Sequence, residues 1–125
     1  MKQKYSIDTE DGVTAVRFFK KANADDVNCA FNELIKCNPS RLRLWHLEEG
    51  WDLSPSQIQE FANYTKSKST EEIRLAVVTT EDLSYGLTRM FQAYRQEEHF
   101  DQQNFTTEAE AICWLKAQFP QESGR

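Results

Sequence analysis

Thiols and imidazoles are the side chains best suited to metal binding or nucleophilic work, and this chain carries Cys29, Cys37, Cys113, His46 and His99. The cysteine number is odd and no Cys-x-x-Cys occurs, so neither a disulfide framework nor a zinc site is indicated. All three cysteines fall in helical patterns and read as buried, reduced thiols acting as small apolar residues. His46 falls in a strand and His99 at a helix end. Neither has a Cys, His or carboxylate at metal-ligand spacing, so both read as packed or solvated histidines. The carboxylate pairs Asp25-Asp26, Glu48-Glu49, Glu71-Glu72 and Glu97-Glu98 are adjacent in sequence. Neighbours of this kind point apart, which suits solvation better than general acid–base work. Glycines at 12, 50, 86 and 124 cannot build a phosphate-cradling loop, and neither Gly-x-Ser-x-Gly nor His-Glu-x-x-His occurs. The expectation is a protein without catalytic residues, resident metal or cofactor.

Arginine placement carries more information. Arg17 alternates with Val16 and Phe18, Arg41 and Arg43 with Leu42 and Leu44, and Arg74 precedes Leu75. Parallel strands covered on both sides are apolar throughout, so part of one sheet face is expected to be thinly covered. Arginines there could bind an anion or an acidic partner, or simply pair with nearby carboxylates at strand ends. Three Trp, eight Phe and four Tyr are mostly core material. Trp51, in the loop after Gly50, is the aromatic expected to stay exposed as a contact residue. Ligands of open α/β sheets sit at the carboxyl ends of strands, here Glu48–Ser54 and Thr79–Leu83.

The elements that position these residues follow from patterning. Tyr5–Asp8 and Val13–Phe19 read as a hairpin around Asp11-Gly12. Asn23 caps a helix striped by Val27, Ala30, Phe31 and Leu34, which Asn38-Pro39 stops. Arg41–Leu47 is a strand, and Ser54-Pro-Ser-Gln57 is a capping-box helix start. That helix has a sparse stripe, Ile58, Phe61 and Ala62, and is expected at the margin of the core. Ile73–Thr79 is a β-branched strand, followed by a helix with Leu83, Leu87, Met90, Phe91 and Tyr94 inward. Gly86 in its first turn suggests a close contact or a bend. Asp101–Thr106 is a polar edge strand, and the last helix carries Ala109, Ile112, Cys113 and Leu115. The order β-β-α-β-α-β-α-β-α implies one α/β domain. Its five-stranded sheet is mostly parallel, with an antiparallel N-terminal strand and four helices. The 125 residues suffice for one core, and the net charge of −5 argues against nucleic-acid binding. No apolar run approaches a membrane span and no signal-peptide core is visible, so a cytoplasmic location is expected.

Three segments resemble the SpoIIAA-like branch of the STAS domains. They are Leu42-Arg-Leu-Trp-His-Leu-Glu-Glu-Gly-Trp-Asp-Leu-Ser54, then Leu75-Ala-Val-Val-Thr-Thr with Ser84-Tyr-Gly-Leu-Thr-Arg-Met-Phe91, and Phe105-Thr-Thr-Glu-Ala-Glu-Ala-Ile-Cys-Trp-Leu115. The similarity runs from Tyr5 to Ala117, inside a domain of residues 1–120 with a loose, disordered tail at 121–125. STAS anti-sigma-factor antagonists are not enzymes. They are switched by phosphorylation of a serine in an Asp-Ser-Ser-Gly setting at a helix start. Ser54 matches that position, but Leu53 replaces the Asp, Pro55 the second Ser and Ser56 the Gly, so Ser54 also reads as a plain helix cap. The resemblance implies a non-catalytic module that binds a protein partner. The alternative is a small apolar or lipid-like ligand, as in related folds. The surface implied for partner or ligand comprises Trp51, Ser54, Ser56, Gln57, Tyr85 and Gly86.

Overall fold

A computed structural model describes residues 4–68, 72–80, 82–95 and 100–123, with backbone alone at 82–84 and 117–123. His99, Glu71, Glu97 and Glu98 lie outside those residues. The chain opens with β1 (Tyr5–Glu10) and β2 (Val13–Phe18), antiparallel, with Glu10 opposite Val13. Asp11 and Gly12 have φ of 55° and 81°, the left-handed pair that a two-residue hairpin requires. A dipeptide strand β3 (Ala22–Asn23) leads into α1 (Ala24–Lys36). Asn23 Oδ1 accepts from the Asp26 N–H at 2.9 Å, and Asp26 Oδ2 accepts from the Asn23 N–H at 3.0 Å, a reciprocal cap. Asn38 at φ 56° turns the chain out of α1 before Pro39.

β4 (Leu42–Leu47) is followed by a turn at Gly50 and a second dipeptide strand, β5 (Trp51–Asp52), which pairs in parallel with β3. These two short strands were not foreseen from patterning, because two residues show no period. α2 (Pro55–Lys68), β6 (Ile73–Val78), α3 (Asp82–Arg95), β7 (Phe100–Phe105) and α4 (Glu108–Ser123) complete the chain. The helical backbone thus runs through 121–123, where a loose tail was expected. The main sheet has the order β1-β2-β4-β6-β7, parallel except at β1, with polar β7 on an edge as its composition implied.

The two sheet faces differ. One carries Val16, Phe18, Trp45, Leu47, Leu75 and Val77 beneath α1, α2 and α3. α2 is central on this side rather than marginal. Its few apolar residues are large or fully enclosed, and the Phe61 ring lies 5.5–6.3 Å from those of Phe31, Trp45, Trp51 and Phe91. The other face carries Val13, Ala15, Leu44, Ala76 and Val78 under Ala111 and Leu115 of α4. Among the described elements only α4 covers it; of the alternating arginines, Arg17 and Arg74 lie on this thinly covered face and Arg43 does not. Arg17 and His46 are register neighbours there.

Several burial expectations are corrected. Cys29, Cys37 and Cys113 are all exposed. Cys29 lies two residues past Val27, on the far side of the α1 stripe, and Cys37 is the C-cap. In α4 the inward positions are Ala111 and Leu115, spaced i, i+4, so Ala109 and Cys113 face solvent. Arg43 points to the three-helix side and is 5% exposed, with its Nε donating to the Ser40 carbonyl at 2.9 Å.

Candidate functional site

The start of α2 is built as its sequence suggested. Gln57 N–H donates to Ser54 Oγ at 3.2 Å, and Ser54 N–H donates to Gln57 Oε1 at 2.9 Å. Ser54, Ser56 and Gln57 are exposed, with the two serine hydroxyls 3.2 Å apart. Trp51 departs from expectation: it is 4% exposed and belongs to the core. The β3–β5 ladder draws its ring between Phe61 and Phe91, and its indole Nε1 donates to Thr88 Oγ1 at 2.7 Å. Trp51 therefore locks the strand-to-helix loop against α3 and is not the exposed aromatic expected there. Tyr85 is half-buried and Gly86 exposed on α3. A Cβ placed on Gly86 would meet nothing within 4 Å, so neither a close contact nor a left-handed backbone explains this glycine.

Beside the α2 start lies a groove of about 330 Å³ between α1 and α2. Its floor is apolar and buried: Val27, Leu53 and Phe61. Its rim is polar: Asn28 and Asn32 from α1, Gln57, Glu60 and Tyr64 from α2. Tyr64 O–H donates to Asn32 Oδ1 at 2.5 Å and so ties the two helices across the groove. Of the six residues that the resemblance implied for a partner or ligand surface, only Gln57 lines it. Asn28 and Asn32 are one turn apart and flank the buried Val27–Phe31 stripe, while Gln57, Glu60 and Tyr64 fall at i, i+3 and i+7. That polar periodicity beside an apolar stripe was the available signal.

The thinly covered face holds a second polar cluster. Arg17 donates through Nε and Nη2 to the two carboxylate oxygens of Glu108, at 2.9 and 3.1 Å, and Asp8 lies 3.6 Å from its Nη1. His46 Nδ1 is 2.5 Å from Glu108 Oε2. A carboxylate only accepts, so Nδ1 carries a proton. The Arg17 guanidinium, bonded to Glu108, holds that carboxyl below the usual glutamate range, and the same bond raises Arg17. Arg74 pairs with Asp101 at 2.9 Å and Arg41 with Glu72 at 3.6 Å. Arg17, Arg41 and Arg74 thus pair with carboxylates. On the other side of the sheet, burial and then its bond to Glu33 push the Tyr5 hydroxyl up to about 12.

Two other spaces are smaller. An apolar one of about 40 Å³ lies inside the three-helix side, among Phe31, Trp45, Phe61 and Phe91, with Arg43 and Arg95 at its edge. One of about 80 Å³ lies by the hairpin, lined by Asp8, Asp11, Arg17 and Lys116 among others. His46 lines none of the three. Among the described residues, no group of three or more His, Cys, Asp or Glu is placed to hold a metal ion. No helix among them is long and apolar enough to cross a membrane.

No protein-family model matches the chain, and no curated protein does. Among solved structures, the chain is similar to an uncharacterised protein of the DUF3478 family with a SpoIIAA-like fold, from Shewanella loihica PV-4. The TM-score is 0.53 at 14% identity, over 89% of this chain and 91% of that one. The likeness is one of fold: a SpoIIAA-like α/β arrangement with four helices and a five-stranded mixed sheet.

Proposed function

We propose that this protein is a non-catalytic, STAS-like binding module that acts by docking a protein partner on its α1–α2 side. The observation carrying this reading is the open groove there, about 330 Å³, with a buried apolar floor and a polar rim. Protein contact surfaces combine those two features, a desolvated centre and a hydrogen-bonding border. The titratable side chains of the α4 face favour the same reading, because Glu108 is engaged by Arg17 and His46 at once, and neither Glu108 nor His46 lines any of the three spaces described. The alternative, a small apolar or lipid-like ligand, needs a lined pocket of roughly 300 Å³ or more; the groove reaches that size, but its rim is polar. The apolar interior space is about 40 Å³, which favours the protein partner. Three solvent-facing free thiols suit a reducing compartment, and the cytoplasm is the location we assign.

The test is site-specific photo-crosslinking in the organism of origin, with p-benzoylphenylalanine at the exposed groove-lining positions Gln57 on α2 and Asn32 on α1 and at Asp11 as control. One discrete adduct from the groove positions and none from Asp11 is expected. Absence of any groove adduct, or a small apolar molecule held stoichiometrically in native mass spectrometry, would overturn the proposal.

A further inference from the structure

We infer that the α1–α2 groove receives an arginine side chain presented by an extended basic segment of the partner. This rests on the partner-binding reading and names the partner's chemistry. Among the described residues, Glu60 is the charged one lining the groove, and it sits on an exposed rim of a chain with net charge −5. A cation is therefore favoured there and an anion repelled. The other rim groups are carboxamides and a phenol. Asn32 Oδ1 takes one hydrogen bond from Tyr64 and retains a second lone pair, and Asn28 brings another carbonyl oxygen. Together with the Glu60 carboxylate these are acceptors for a planar five-donor fork.

Below them, Val27, Leu53 and Phe61 form an apolar bed for a methylene stem. Lysine shares the stem but carries a compact, strongly hydrated charge, which gains less from several spread acceptors. Gln57 spends its Oε1 on the Ser54 N–H and leaves its NH₂ as a donor. A donor at that edge suits a backbone carbonyl of the inserted segment. The chain's own Lys68 ammonium lies 5.6 Å from the Tyr64 ring centroid, so the guanidinium belongs at the Glu60–Asn28 side of the groove.

The probe is the capped pentapeptide Ala-Ala-Arg-Ala-Ala, titrated into the ¹⁵N-labelled full chain, with Lys and Glu analogues. Expected are shifts confined to Asn28, Asn32, Gln57 and Glu60, with an affinity on the order of millimolar, as suits one anchor side chain. The Lys analogue should bind several-fold more weakly and the Glu analogue not at all. Glu60→Gln, at an exposed position, should weaken the Arg peptide about tenfold while leaving the remaining spectrum unchanged. Equal binding of the Arg and Glu analogues, indifference to Glu60→Gln, or shifts centred on the acidic hairpin at Asp8–Asp11 would overturn the inference. A silent groove with an intact Gln57 crosslink sinks the arginine and leaves the partner standing. Peptide binding without any crosslink in cells does the reverse.

Discussion

Glu108 shows how much one side chain organises on the α4 face. It is the first residue of α4, and it reaches Arg17 on β2 and His46 on β4 at once. Its folded acidity is stronger than that of an ordinary glutamate, chiefly through the bond from Arg17. The stability it contributes is therefore fully present above the ordinary value of 4.5 and is lost as pH falls through the lower folded value. Glu108→Gln should cost about 1–2 kcal/mol at neutral pH, the scale of a lost charge-assisted pair. It should also flatten the fall in urea midpoint on the acid side of 4.5. Parallel midpoint-versus-pH curves for the two proteins would contradict this. The arginine alternation was legible in the sequence, and so was the option that the arginines pair with carboxylates. The particular partner was not, since 91 residues separate Arg17 from Glu108 and nothing local links them. Trp51 failed for a related reason: its burial is dictated by a two-residue ladder with Ala22–Asn23, a pairing with no signature of its own.

At the scale of elements, local chemistry was a good guide wherever the signal lay within four residues. Asp11-Gly12, the Asn23–Asp26 box and the Ser54–Gln57 box all form as their spacing implies. Counting apolar residues misjudged α2, because enclosure depends on neighbours: Phe61 and Ile58 are 4% and 0% exposed between α1 and α3. The groove went unread for the same reason, being a property of two helices and not of either. Gly86 is the element-level anomaly. It lies in α3 with helical backbone, exposed, and with open space around the missing Cβ. Gly86→Ala should therefore stabilise the protein by about 0.5–1 kcal/mol. That is a rise of about 3 °C in melting temperature for a domain of this size, read by circular dichroism. A lowered melting temperature would mean that α3 needs the glycine after all.

At the scale of the whole molecule, the described residues place more apolar side chains on one side of the sheet than on the other. Among the described residues, 18 buried side chains form the cluster under α1–α3 and 7 form the one under α4. Fewer enclosed contacts mean a lower free energy of local opening. The amides of Ala111–Leu115 should exchange with solvent through a sub-global event at lower denaturant than those of Trp45–Leu47 in the central strand. A single shared exchange isotherm would show instead that α4 opens only with the entire domain. Fold class was readable because βα alternation has few right-handed solutions, and the polarity of β7 marked it as an edge; the full strand order comes from the structure. Which face would be the lean one was not readable, because the arginines divide between the faces: Arg17 and Arg74 lie under α4 and Arg43 on the three-helix side. The three thiols standing in solvent have a practical outcome as well. Under air, copies of this chain can become tethered through intermolecular sulfur bridges, so a dimer band on a non-reducing gel reports handling, and subunit number should be measured with reductant present.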